Sequence, residues 1–127
     1  MKRPPVFLNM LQIRFPLTAI ASILHRLSGL ALFFLIPGLL WVFKRTLDSE
    51  QSFLRMQEWF SYGCIKVVVW LFLVGLLYHL LAGIRHLYMD MGWFESRKAG
   101  TFTASTVIIL ALVGAIGFGL TLWGVSL

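Results

Sequence analysis

The sequence has a single cysteine, three histidines and few charges. With Cys64 alone, an internal disulfide and a cysteine-held cluster are both excluded. Charged residues make up 13% of the 127 residues and hydrophobic ones 59%, a balance that no soluble domain needs in order to fill one core. No internal repeat and no separate soluble segment interrupts it. The N-terminal stretch MKRPPVFLNMLQIRF has no long apolar run before Arg14 and lacks the Ser/Arg richness of a transit peptide, so the expectation is a mature terminus.

What is present is apolar and arranged in three uncharged runs, residues 27–43, 67–84 and 101–127. Each approaches or exceeds the length needed to cross a hydrocarbon layer of ~30 Å. The expectation is an all-α integral membrane domain over residues 1–127, with transmembrane helices at about 20–44, 64–89 and 103–126. Pro16 and Thr18 suit the start of the first helix, Ser28 and Gly29 should loosen it, and Pro37 should kink it. Between the first two spans, Asp48 and Gln51 have the spacing of a capping box. Phe53, Met56 and Phe60, widened by Leu54 and Trp59, then form the apolar face of a short helix lying on the outer membrane surface. Ala111, Ala115 and Gly119, with Gly114 and Gly117 beside them, mark the third span as a packing helix.

The net charge of +6 does not point to nucleic acid, because the basic residues flank apolar spans and form no cluster on a soluble face. Topology explains them better. A cytoplasmic N-terminus puts Lys2, Arg3, Arg14, Arg26, Arg85, Arg97 and Lys98 inside, against Lys44, Arg45, Arg55 and Lys66 outside. The C-terminus then faces the periplasm.

The stretch LFLVGLLYHLLAGIRHLYMD, residues 71–90, places His79 where hydrocarbon normally excludes an imidazole. At ~100° per residue, Phe72, Gly75, His79, Gly83, His86 and Asp90 share one stripe. The glycines one turn to either side leave the helix surface beside His79 bare, as a flat haem requires. On this pattern alone, haem ligation competes with an interhelical hydrogen bond from a buried histidine. On the first helix Ser22 and Arg26 are one turn apart with His25 beside them, at the membrane edge. They read either as an interface anchor or as a site for a ligand headgroup. A six-coordinate haem needs two ligands on opposite faces. His86 is ~10 Å along the axis from His79, too far to serve the same iron. His25 lies roughly six residues shallower than His79, a depth better suited to propionates. The second axial ligand is therefore expected from another polypeptide.

The segments RFPLTAIASILHRLSG, residues 14–29, and YHLLAGIRHLYMDMG, residues 78–92, resemble the two signature regions of the cytochrome b membrane-anchor subunits of bacterial succinate dehydrogenase. Arg3-Pro4, Ser22, His25, Arg26 and Ser28 fit the first region; His79, Gly83, Arg85, His86, Asp90 and Gly92 fit the second. The resemblance extends to length and three-helix topology. It implies an inner-membrane subunit in a complex with a flavoprotein, an iron-sulfur subunit and a second anchor subunit. One haem b would be shared between the two anchors, with His79 as one axial ligand and the partner's histidine as the other. It further implies that Ser22 and Arg26 line a ubiquinone site and that His25 lies near a haem propionate. Arg85, His86 and Asp90 match without an assigned ligand. The chain would not be an enzyme alone, since nothing in it resembles a site for dicarboxylate oxidation. A fumarate reductase anchor, or a haem-free structural membrane protein, are the competing readings.

Overall fold

The computed structural model describes residues 15–94 and 96–124. Four helices hold nearly all of them: α1 Leu17–Asp48, α2 Glu50–Trp59, α3 Gly63–Asp90 and α4 Arg97–Leu122. No strand occurs among the described residues. The basic N-terminal arm with Lys2, Arg3 and Arg14 lies outside them. Helices α1, α3 and α4 contain 32, 28 and 26 residues and are long and apolar enough to cross a membrane.

Local signals account for where the helices begin and end, with two differences from the sequence reading. Asp48 does not cap the short helix. It is the last residue of α1, where it pairs with Arg45 at 3.4 Å, and Ser49 caps α2 by accepting the Ser52 amide at 3.1 Å. A serine-based cap one residue further on competed with the Asp48–Gln51 spacing and won. Helix α4 starts at Arg97, ahead of its apolar run, because the Ser96 hydroxyl accepts the Ala99 amide at 3.2 Å. Neither Ser28-Gly29 nor Pro37 interrupts α1, which is one continuous helix.

The spans pack as antiparallel neighbours. Small residues let them approach: α4 buries Gly100, Ala104, Val107, Ala111 and Ala115 along one stripe, against Tyr78 and Ala82 of α3. Leu77 of α3 is seated where a side chain at Gly114 would stand. Two side-chain bonds hold the α3–α4 register. Trp70 Nε1 donates to the Ala115 carbonyl at 2.7 Å, and the Arg85 guanidinium donates to the Gly100 carbonyl at 3.1 Å. These anchor points are equally spaced along the two helices, so the pair runs without slippage. Such a bond inside a membrane averages about 0.6 kcal/mol, which specifies register more than it supplies stability.

Helix α2 folds back on the C-terminal end of α1. Met56 is its one buried residue, and Trp59 lies 6.1 Å from Trp41. Phe53 and Leu54 remain exposed, as a helix lying on a bilayer surface requires. Much of α1 is also uncovered, including Leu27, Leu30, Phe33 and Phe34. In a membrane protein this surface faces lipid or another subunit.

Candidate functional site

His79 projects from α3 onto α1, and the two helices meet there through a reciprocal pair of glycines. A Cβ at Gly29 would stand 2.9 Å from His79 Cε1, and one at Gly83 would stand 3.5 Å from His25 Nε2. Each histidine thus lies over the glycine that follows the other by one turn. His25-xxx-Gly29 and His79-xxx-Gly83 are the same spacing read on antiparallel helices. The glycine that makes room for the His79 ring is therefore on α1, while Gly75 has open space beside it, leaving the α3 surface next to His79 bare as the sequence led one to expect.

The hydrogen bonds around His79 determine its tautomer. Ser28 Oγ donates to the His25 carbonyl at 2.8 Å, so its one proton is used and the oxygen can only accept. His79 Nδ1 lies 3.2 Å from that Ser28 Oγ and 3.2 Å from the His25 carbonyl oxygen. Both neighbours are acceptors, so Nδ1 carries the proton and Nε2 keeps its lone pair. An imidazole held through Nδ1–H, with a basic Nε2, is the arrangement of a metal-ligating histidine. The interhelical hydrogen bond and the ligand role, alternatives in the sequence, are thus compatible: one nitrogen does each.

His25 stacks on His79 with ring centroids 4.3 Å apart and planes at 20°, and His86 stacks on the other side of His25 at 4.8 Å and 21°. The expected depth of His25 needs correction. The glycine contacts put its backbone four residues from His79, not six, and its ring reaches back to touch the His79 ring. His86 is separated from His79 by the intervening ring, in keeping with the axial distance read from sequence. Its Nδ1 bonds the Ala82 carbonyl of its own helix at 2.7 Å. The three rings are stacked in place of converging, and among the described residues no His, Cys, Asp or Glu group has the geometry to chelate a bare metal ion. His25 Nε2 is buried and has no partner among the described residues. A buried polar nitrogen left unpaired is costly, so this one is suited to a ligand's acceptor oxygen.

Ser22 and Arg26 occupy the same end of α1, Ser22 half-buried and Arg26 exposed. They sit beside Ala21, whose carbonyl accepts the buried Tyr78 hydroxyl at 2.8 Å, so this turn of α1 is tied directly to the residue before His79. Arg85 has a structural place instead. It is 6% exposed, and its Nε donates to Thr103 Oγ1 at 3.0 Å, while that hydroxyl donates to the Gly100 carbonyl at 3.2 Å. Asp90 ends α3, exposed. Sequence reasoning missed Ser28 and Gly29 as partners of His79, although their one-turn distance from His25 was a signal, and it missed Thr103 as the partner of Arg85.

Comparison with known proteins places these residues in a family. Residues 1–118 match the family model described as the succinate dehydrogenase/fumarate reductase transmembrane subunit. A succinate dehydrogenase cytochrome b556 subunit from Coxiella burnetii is 38% identical over 120 residues, covering 94% of this chain and 96% of its own. Proteins of the same name from Rickettsia prowazekii and Paracoccus denitrificans are 35% and 30% identical, covering 72% and 83% of this chain and 71% and 84% of their own. Three apolar spans and a match over most of its length make the chain a member of the succinate dehydrogenase/fumarate reductase transmembrane subunit family, a multi-pass cytochrome b anchor of succinate dehydrogenase.

Proposed function

We propose that this chain supplies one axial ligand to a haem b and one wall of a ubiquinone-reduction site, and so passes electrons from the flavoprotein and iron-sulfur subunits to quinone. The single observation that carries the haem part is the state of His79, whose Nδ1–H is committed to α1 while Nε2 keeps its lone pair. The residues present fit the group. His79 Nε2 would bind the iron, and His25 Nε2, buried and unpartnered, would donate to a propionate when protonated there. Bound haem would supply a one-electron redox centre beside the quinone. A second anchor subunit would provide the iron's other histidine, since His25 and His86 both stack parallel to the neighbouring ring. The histidine end of the bundle would face the cytoplasm of a bacterial inner membrane, with the C-terminus periplasmic; the basic residues Arg26, Arg97 and Lys98 at that end support this orientation.

For quinone, the Ser22 hydroxyl would donate to a carbonyl oxygen, and the exposed Arg26 guanidinium would stabilise the negative charge that grows there during reduction. The protons come from water at the membrane edge. In the assembled complex, Ser22→Ala or Arg26→Leu should slow succinate-driven ubiquinone reduction by on the order of 10²-fold. Electron transfer to an artificial acceptor served by the soluble subunits should persist. Arg26→Lys separates this role from lipid anchoring, because a lysine snorkels equally well but lacks the planar fork. Normal quinone turnover in Ser22→Ala and Arg26→Lys alike, with assembly verified, would leave the pair as an interface anchor only.

A further inference from the structure

At the end of the bundle remote from His79, two adjoining cavities differ sharply in chemistry. The larger, about 410 Å³, is lined by apolar residues of three helices, among them Leu35, Gly38 and Val42 of α1, Met56 of α2, and Val69 and Phe72 of α3. The smaller, about 250 Å³, shares Trp41, Met56 and Trp59 with it and adds Ser52, Arg45 and Arg55. Among the described residues, these arginines are the only charged ones that line either space. From Leu35 to Arg45 the groove follows ten residues of helix, ~15 Å at 1.5 Å per residue and thus about half of a ~30 Å hydrocarbon layer. Trp41 and Trp59 flank its mouth, where aromatic rings sit at headgroup level.

We infer that this composite groove binds one anionic phospholipid, with an acyl chain in the apolar part and its phosphate on Arg45 and Arg55. The groove alone gives no selectivity, because an acyl chain is equally well accommodated in bulk lipid. Selectivity comes from the mouth. Arg45 is held over the Trp41 ring at 5.5 Å, which orients its guanidinium, and its only ion pair among the described residues is the exposed 3.4 Å contact with Asp48. Such a contact contributes little and yields to a phosphate, whose oxygens match the guanidinium fork. Gly38 keeps the apolar part open, since nothing lies within 4 Å of where its Cβ would stand. The arginine mouth lies sixteen residues along α1 from Gly29, ~24 Å at 1.5 Å per residue, and does not depend on haem.

The test uses the assembled complex in phosphatidylcholine nanodiscs containing phosphatidylglycerol with a photoreactive acyl chain, and mass spectrometry of the labelled peptides. Adducts should concentrate on residues 35–42 and 65–73. Unlabelled phosphatidylglycerol should compete at a concentration lower by on the order of tenfold than added unlabelled phosphatidylcholine, given two cations near the headgroup. Arg45→Gln with Arg55→Gln should abolish that difference, and Gly38→Leu should remove the adducts themselves while succinate oxidation with an artificial acceptor is unchanged. Equal competition by the two lipids in the unaltered complex overturns the inference, as does labelling spread evenly over the lipid-facing surface. Displacement by a ubiquinone analogue at lower concentration than by either lipid overturns it in favour of a quinone-tail seat. The wild-type competition decides the matter even where a variant fails to assemble.

Discussion

Gly29→Ala is the perturbation to which the arrangement around His79 should respond most sharply. The added methyl would stand 2.9 Å from His79 Cε1, against the 3.4 Å at which ordinary contact begins, so the ring must retreat by about 0.5 Å. It has little freedom to do so. Its Nδ1 is held at 3.2 Å by both Ser28 Oγ and the His25 carbonyl, and the His25 ring is stacked on it at 4.3 Å. Either those bonds lengthen or α1 and α3 separate, and overpacking of this kind costs about 1–3 kcal/mol. Disturbing the groups that orient a metal-bound histidine typically weakens metal binding by about 10–100-fold. Gly117→Ala on α4 is the matched control, because its methyl enters open space away from His79. The assay is haem content per flavin, with the reduced-minus-oxidised spectrum, in complexes purified side by side. Gly29→Ala should lose haem or show a shifted spectrum while Gly117→Ala matches the parent. Identical spectra and haem content in both variants would refute the register assigned to α1 and α3.

Ser28→Ala removes one of the two acceptors for His79 Nδ1–H. The imidazole becomes a poorer donor to ferric iron, so the haem potential should rise; a tenfold loss of ferric over ferrous affinity corresponds to ~59 mV, and Ser28→Thr should restore it. Potentiometric titration of the complex checks both, and an unchanged potential in the alanine variant would contradict the tautomer argument. Gly114→Val should destabilise the α3–α4 pair by about 1–3 kcal/mol, since Leu77 already occupies the space above that glycine. Thermal denaturation of the detergent-solubilised complex measures the loss, and Leu77→Ala in the same chain should recover part of it; additive losses would mean the two residues do not meet.

The spans were legible because their signal is carried by each helix alone: twenty or so apolar residues, and small residues stepping along α4; the serine caps at Ser49 and Ser96 were not read. His79 was legible for the same reason, as an imidazole inside such a run. What escaped was what faces what. Gly75 and Gly29 are indistinguishable as glycines one turn from a histidine, and only the antiparallel register of α1 on α3 selects Gly29. A periodicity of 3.6 on one helix says which side is used and nothing about the partner's phase. Arg85 matched the signature region without an assigned partner for a related reason. A cation at a membrane edge has many possible partners, and its burial between Gly100 and Thr103 depends on where the α3–α4 turn returns the chain. The turn itself passes through positive φ at Gly92, 83°, and at Phe94, 63°. Glycine at the first is readable from sequence; a phenylalanine there is not.

The central claim, that His79 holds the iron and the other two histidines do not, is tested most directly by the low-temperature EPR spectrum of the oxidised complex in His79→Ala and His86→Ala. The low-spin signal of an iron between two imidazoles should be present in the parent and in His86→Ala, and absent or converted to a high-spin signal in His79→Ala. An unaltered low-spin signal in His79→Ala, with the complex intact, would contradict the account.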